Sequence, residues 1–474
     1  MLYATPMSFN SRILPMTIAS ALFMEQMDST IIATSLPDIA RELGTSPVAL
    51  KLAFTTYLLG LTVVLPVSGW MADRFGAKFI FRLAIVIFTA GSVACGFAQS
   101  LEWLVFARGV QGVGGALMVP VGRIIILRSV EKSELLDALA WLTIPALIGP
   151  VIGPPIGGFI TTTYDWRWIF WINLPFGILA FTLATWLMPK LKAESVPPLD
   201  FKGFVLSGLG LTLAVFGMTV AERGLFSTMQ VWAMILTGLA LLVAYWFHAR
   251  RHPAPILDLR TLRIATYRHS VLGGSLLRIA VGATPFLMPL MLQLGFGFSA
   301  FQAGLITFAS AIGALAMKFT VAPIVRRFGY RELLIWNGLG CCALIAAQGF
   351  FTAQTAYAVM FGVLLVSGFM RSLQFSALNT LAYADVETRD MARANALYTV
   401  AQQLFLALGV SVAAFLLDSR MWYFGRNELV AGDFSFALIV VAAIAAFSSF
   451  SYMRLQPEAG ASVSGRSKPK AALP

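Results

Sequence analysis

Gly149-Pro150-Val151-Ile152-Gly153-Pro154-Pro155-Ile156-Gly157-Gly158 lies within a long apolar segment of the chain. Gly149, Gly153 and Gly157 recur every four residues, so on a helix they form one bare stripe. Pro150, Pro154 and Pro155 cannot donate to the helical ladder and are expected to bend it. In lipid such a helix persists only where another helix packs closely on the stripe, because the hydrocarbon offers a freed backbone group no partner. GxxxG packing alone would explain the glycines, but not two Gly-Pro steps within ten residues. The stretch predicts a membrane-embedded helix with a close helical neighbour.

The rest of the sequence agrees with a membrane setting. Of 474 residues, 58% are hydrophobic and 12% charged, about half the charge of a soluble domain. A span needs roughly 20 apolar residues. Fourteen stretches qualify, at 12–34, 49–71, 79–98, 101–125, 137–160, 167–189, 203–222, 229–249, 269–294, 300–324, 332–352, 355–378, 391–417 and 431–453. The first is too long for a signal-peptide core and contains Glu25 and Asp28, so it is expected to stay in the mature protein.

The net charge of +12 does not indicate a nucleic-acid partner. With the N-terminus inside, most Lys and Arg fall in inner loops and tails, which places both termini in the cytoplasm. Trp103, Trp166 and Trp422 fall near span ends, as interfacial anchors do. Arg466, Lys468 and Lys470 read as a flexible tail facing anionic lipid. Cys95, Cys341 and Cys342 all lie in spans, so no disulfide framework is expected. His248, His252 and His269 surround one inner loop among arginines and read as loop histidines, not metal ligands. No phosphate-cradling GxxxxGK[ST] segment and no nucleophile–base constellation occur, so neither a cofactor nor an enzyme is expected.

Gly69-Trp70-Met71-Ala72-Asp73-Arg74-Phe75-Gly76-Ala77-Lys78 follows the second stretch, and a degenerate copy, Arg326-Arg327-Phe328-Gly329-Tyr330-Arg331, follows the tenth. The shared Arg-Phe-Gly suggests two bundles on one plan. The expected organisation is an N-terminal six-helix bundle (1–189), a linker with Pro197-Pro198 (190–202) and an inserted helix pair (203–249). A linker with Pro253 and Pro255 (250–268), a C-terminal six-helix bundle (269–453) and a tail (454–474) complete it. Asp73 aligns with Arg326, so the second copy lacks the acidic member.

Further motifs are Met27-Asp28-Ser29-Thr30-Ile31-Ile32 with Leu36-Pro37, Arg108-Gly109-Val110-Gln111-Gly112-Val113-Gly114-Gly115, and Trp166-Arg167-Trp168-Ile169-Phe170-Trp171-Ile172-Asn173-Leu174-Pro175. With the two glycine-rich stretches above, they run in order along nearly the whole chain. In this the chain resembles the fourteen-span drug–proton antiporters of the major facilitator superfamily, and most of all the multidrug exporters of bacterial inner membranes. The resemblance implies an all-α polytopic fold of two six-helix bundles plus an inserted pair. It also implies proton-coupled export by alternating access. By the same resemblance Gly69, Asp73, Arg74 and Gly76 belong to a cytoplasmic gate, and Gly149, Pro150, Gly153, Pro154, Gly157 and Gly158 form the antiporter packing motif. The expected partners are a small-molecule substrate, protons and the lipid bilayer, for a protein acting as a monomer.

An ionisable group at mid-membrane costs roughly 2.5–3.5 kcal/mol, so it faces a partner or a watery cavity. Asp28 and Arg108 lie about six and seven residues from the outer ends of their spans, and at roughly 1.5 Å per residue they sit at similar depth. The family's architecture has both spans lining the cavity, so an Asp28–Arg108 interaction is expected, either as a static pair or as a proton switch. Glu25, three residues before Asp28, shares its helical face and is a second candidate proton or substrate site. Arg123 and Lys318 lie near span ends and can snorkel. Arg278 and Arg371 sit deeper, in spans corresponding by the repeat to the first and fourth, with Gln374 one turn beyond Arg371. Two carboxylates against three arginines favour an anionic substrate, such as a carboxylate or its metal chelate. The family label favours amphipathic drugs. An uptake symporter of the same fold and a non-transporting membrane sensor are the competing readings.

Overall fold

A computed structural model describes residues 9–130, 134–191, 196, 198–220, 227–318, 320–387, 390–426 and 428–460. Pro197 of the expected linker and the tail residues Arg466, Lys468 and Lys470 lie outside them. Among the described residues the regular structure is all helical. The long helices are α1 (Phe9–Ile31), α2 (Pro47–Phe75), α3 (Ala77–Gly96), α4 (Leu101–Ser129), α5 (Leu135–Thr163), α6 (Trp168–Leu187) and α7 (Phe201–Val220). They continue with α8 (Thr228–Arg251), α9 (Ala265–Gly295), α10 (Ala300–Met317), α11 (Tyr330–Gln348), α12 (Tyr357–Tyr383), α13 (Met391–Tyr423) and α14 (Ala431–Met453). Eleven helices, counting Arg393–Tyr423 of α13, are long and apolar enough to cross a membrane. The other three expected spans fall on α1, α5 and α11, which are helical throughout.

The prolines do not break these helices. α5 is continuous through its Gly-Pro steps, and α4 through Pro120. In α9, Pro285 and Pro289 precede a widened π turn at Met291–Gly295, where the Phe296 amide reaches back to the Met291 carbonyl at 3.1 Å. That local change keeps the Phe296 backbone donor satisfied at the end of the helix.

The chain divides into two compact units, one formed by Met1–Tyr245 with Ser299–Gly304, the other by Trp246–Phe298 with Leu305–Pro474. In the first unit, small residues bring backbones into contact. A β-carbon at Gly149 would lie 2.9 Å from the Met27 amide nitrogen and the Phe23 carbonyl. At Gly153 it would lie 2.2 Å from Thr30 Oγ1, and at Gly157 2.4 Å from the Ile31 carbonyl. The stripe of α5 therefore seats directly on the turns of α1 that carry Glu25 and Asp28. α4 approaches α2 through Gly112 and α3 through Gly114, and α7 packs against α2. In the second unit α9 is the most deeply enclosed span, and Gly282 and Gly409 bring it against α13.

The repeated Arg-Phe-Gly has a backbone reason. Gly76 (φ +95°) joins α2 to α3, and Gly329 (φ +74°) joins the short helix Val321–Phe328 to α11. Side chains rarely adopt this conformation, so glycine recurs although the neighbouring residues have diverged.

Gly153→Leu should lower the thermal unfolding midpoint of the purified protein, since overpacking costs about 1–3 kcal/mol. Gly432→Leu is the control, because a β-carbon there meets open space. Equal midpoints for the two variants would show that the stripe tolerates bulk.

Candidate functional site

Asp28 is fully buried near the end of α1 and meets three donors. Arg108 Nη1 donates to Oδ2 at 2.6 Å, while Gln111 Nε2 and Asn173 Nδ2 each donate to Oδ1 at 2.8 Å. The donors are tied together in turn. Arg108 Nη1 also donates to Gln111 Oε1 at 2.7 Å. Asn173 Nδ2 donates to Ser92 Oγ at 2.9 Å, and that hydroxyl donates to the Phe170 carbonyl at 2.8 Å. Arg108, Gln111, Asn173 and Ser92 are themselves fully buried.

Local sequence explains the convergence. Arg108 and Gln111 are three residues apart, hence on one face of α4. Gly112 lets α2 approach so closely that a β-carbon there would lie 2.3 Å from the Tyr57 carbonyl. This brings the Tyr57 ring over the Arg108 guanidinium, 4.3 Å from its centroid. Such a contact supports a desolvated cation. Asn173 arrives on α6, whose entry is anchored by Glu42: this carboxylate accepts from Trp166 Nε1 at 2.7 Å and from Arg167. Arg167 also donates to the Ala98 carbonyl at 3.2 Å.

Glu25, one turn before Asp28, is also buried. It accepts from the Tyr57 hydroxyl at 3.1 Å and from Gln26 Nε2 at 2.5 Å. Among the described residues it has no ion-pair partner. Gly115 faces it: a β-carbon there would lie 3.5 Å from Glu25 Cγ.

Asp73 pairs with Arg128 at 2.8 Å. It lies in the last turn of α2, before the Gly76 turn, so it is at the negative end of that helix. Arg128, in the last turn of α4, offsets that placement. The Ala77 amide donates to the Leu191 carbonyl at 3.1 Å and Lys78 Nζ to the Met188 carbonyl at 2.6 Å. The turn is thereby fastened to the end of α6. Gly69 packs near Ile124, and Arg74 is exposed. On α5, Pro150 and Pro154 are half-buried beside the stripe, while Gly158 meets the Ala300 backbone.

In the second unit Arg278 is fully buried, with Nη2 donating to the Tyr398 hydroxyl at 2.7 Å and the Tyr398 and Phe375 rings at 4.8 and 5.6 Å. Its Nε and Nη1 have no hydrogen-bond partner among the described residues. Arg371 is half-buried and donates to Ser310 Oγ at 3.0 Å. Neither arginine has a carboxylate within ion-pair distance among the described residues. Gln374 does not share the surroundings of Arg371. It donates to the Leu334 carbonyl at 2.9 Å and accepts from Asn337 at 2.7 Å, both on α11. Arg123 is exposed, and Lys318 reaches Ser376 Oγ at 3.0 Å.

Sequence reasoning did not single out Gln111, Asn173, Ser92 or Tyr57. A signal existed for two of them: Gln111 and Asn173 are amide side chains inside otherwise apolar runs, where each needs a partner.

Arg108→Ala strands a buried carboxylate and should cost about 3–5 kcal/mol of stability. Asp28→Asn combined with Arg108→Leu should recover most of it, read by thermal or denaturant unfolding in detergent. A double variant no more stable than Arg108→Ala would contradict the pairing.

The comparisons with known proteins agree with this architecture. The family model of the Major Facilitator Superfamily matches residues 18–410 and 270–474. The Yersinia enterocolitica protein named for multidrug resistance, MdtD, is 35% identical over 454 residues, 94% of this chain and 95% of that protein. The same-named protein of Pectobacterium atrosepticum is 40% identical over 406 residues, 84% and 86%. Among solved structures, a bacterial homologue of the human lysosomal transporter Spinster covers 98% of this chain and 100% of its own, with TM-score 0.70 and 15% identity. A D-xylose–proton symporter covers 95% and 98%, with TM-score 0.67 and 16% identity. These structural likenesses show the fold. The chain belongs to the major facilitator superfamily and is a multi-pass membrane transporter, not an enzyme.

Proposed function

We propose that this protein is a proton-coupled efflux antiporter that exports small molecules by alternating access. It resides in a bacterial inner membrane with both termini cytoplasmic, and it acts as a monomer. The observation that carries this reading is the seat of the α5 glycine stripe on α1. A close backbone contact at Gly149, Gly153 and Gly157 means that α5 cannot shift without disturbing the turns bearing Glu25 and Asp28. The segment that resembles an exporter motif is thus coupled mechanically to Glu25, Asp28 and Arg108, the proposed proton-coupling group. The relatives named for multidrug resistance support export over uptake. The expected domain boundaries belong to the same reading, as does a gate at Gly69, Asp73, Arg74 and Gly76. The Asp73–Arg128 pair gives that gate an ionic latch.

The substrate reading is a small organic anion or an amphipathic molecule with an acidic group. Arg278 supports it, being a buried cation whose Nε and Nη1 nitrogens are unpaired among the described residues. A guanidinium presents a planar fork that suits a carboxylate. Arg371 supplies a second positive charge in the same unit. Gln374, engaged with α11, would shape the site's wall.

The test is transport in proteoliposomes holding the full chain, with an imposed pH gradient and a panel of organic anions and cationic dyes. Uphill substrate movement should follow the gradient and vanish with a protonophore, and Asp28→Asn should abolish the coupling. Gradient-independent movement, or none for any compound, would overturn the antiport assignment.

Arg278→Ala and Arg371→Ala should each weaken anion binding by about 1.5–3 kcal/mol, with poor rescue by Lys. A cationic dye exported well by the wild type and unchanged by both variants would assign the arginines to structure and favour an amphipathic cationic substrate.

A further inference from the structure

Asp28 and Glu25 differ in one respect that bears on which of them exchanges a proton. All three side chains around the Asp28 carboxylate are donors, Arg108 by its chemistry and each amide because a second bond holds it in that role. Arginine cannot accept a hydrogen bond. Gln111 Oε1 takes a hydrogen bond from Arg108, so its carbonyl end must face the guanidinium and its NH2 end must face Asp28. Ser92 gives its only proton to the Phe170 carbonyl, so toward Asn173 it can only accept. The NH2 of Asn173 must therefore face both Ser92 and Asp28. Inverting either amide would sacrifice a second buried hydrogen bond. With the amides so oriented, a protonated Asp28 would carry an O–H that faces only donors, because the unpaired Asn173 Oδ1 is the end of that amide opposite the NH2 that meets Asp28. A buried unmade hydrogen bond is costly.

The surroundings of Glu25 are adaptable. The Tyr57 hydroxyl can donate or accept. Gln26 is only half-buried, and its amide can turn to offer its carbonyl oxygen. Both neighbours can serve either the carboxylate or the acid. The ionisable groups facing this turn are Asp28 on α1 itself, Tyr57 on α2 and Arg108 on α4, while Cys95 on α3 lies against Gln111 at 3.9 Å. From α5, Gly149 meets this turn at the Gln26 side chain and the Met27 amide. α6 contributes the uncharged Asn173 to the adjoining Asp28 site.

We propose that, in this conformation, the exchangeable proton resides on Glu25 while Asp28 is a fixed carboxylate, with Gln111 and Asn173 as positioning residues that keep it so. The step is a simple proton transfer: hydronium delivers one proton to the Glu25 carboxylate and leaves as water, and the reverse releases it. Asp28 exchanges a proton only when Arg108, Gln111 or Asn173 withdraws. This deepens the antiport reading and rests on it for its role in transport.

The test reads protonation directly. Infrared difference spectra of the purified full-length protein, recorded across a pH titration, follow the C=O stretch of protonated carboxyl groups. The wild type should show one titrating buried carboxyl band. Glu25→Gln should remove it, Glu25→Asp should keep it at a shifted position, and Asp28→Asn should leave it in place. Asn173→Ala and Gln111→Ala should each add a second titrating band from the released Asp28, which a merely structural loss would not do. The proposal is overturned if the band survives in Glu25→Gln, or if Asn173→Ala and Gln111→Ala add none. Should Asp28→Asn fail to fold, the Glu25 and Asn173 variants decide the matter. Because the readout needs no substrate, wild-type proteoliposomes without proton-coupled transport would refute the antiport reading separately.

Discussion

A carboxylate buried among membrane-spanning helices has to be neutralised locally, and in this protein that constraint falls on Asp28. Its desolvation is offset by Arg108 and by two amide donors, and the acid and its donors come from three different helices. α1 contributes the acid, α4 the guanidinium and Gln111, and α6 Asn173. Ser92 of α3 fixes the last of these, and the Tyr57 ring of α2 covers the guanidinium. Five helices of the first unit thus meet at one charge. A buried pair of this kind is weak evidence for net stability, since well-packed apolar groups often do as well. Its consequence is specificity of arrangement. Losing any one donor leaves a charge that the surrounding hydrocarbon cannot solvate.

Small residues make the arrangement geometrically possible. Arg108 can lie under Tyr57 only because Gly112 lets two backbones touch, and Gly115 faces the Tyr57 hydroxyl and Glu25 from the same helix. The stripe of α5 then presses on the other side of the same helix. Steric contact on one face and ionic contact on the other confine α1 between them. Packed interfaces of this kind tend to have discrete arrangements rather than a continuous range.

The second unit handles its charges differently. On the spans that the internal repeat equates with those of Asp28 and Arg108, it offers Arg278 beside Tyr398 and Arg371 beside Ser310, with no carboxylate among the described residues within ion-pair distance of either. The first unit pairs its buried Arg108 with Asp28, whereas the second holds positive charge that its described residues leave unneutralised. The divergence also reaches the surface turns. The glycines at 76 and 329 share a left-handed backbone, yet Asp73 has an ionic partner in Arg128 while Arg326 stands in the equivalent place.

Much of this was legible in the chain itself. Apolar length and the spacing of glycine and proline determine that these segments are membrane helices, because a lipid environment demands internally satisfied backbone. The Gly149, Gly153 and Gly157 periodicity determines which face of α5 must meet another helix. The depth of Asp28 and Arg108 along their spans made them candidates for a pair. Only the tertiary structure decided the rest. Local sequence cannot say that α1 is the helix under the stripe, that Gln374 turns toward α11, or that Gln111, Asn173 and Ser92 close around Asp28. Those residues are far apart in sequence, and their amides and hydroxyl can satisfy many partners. Which role each takes is set by the other bonds that the assembled helices impose.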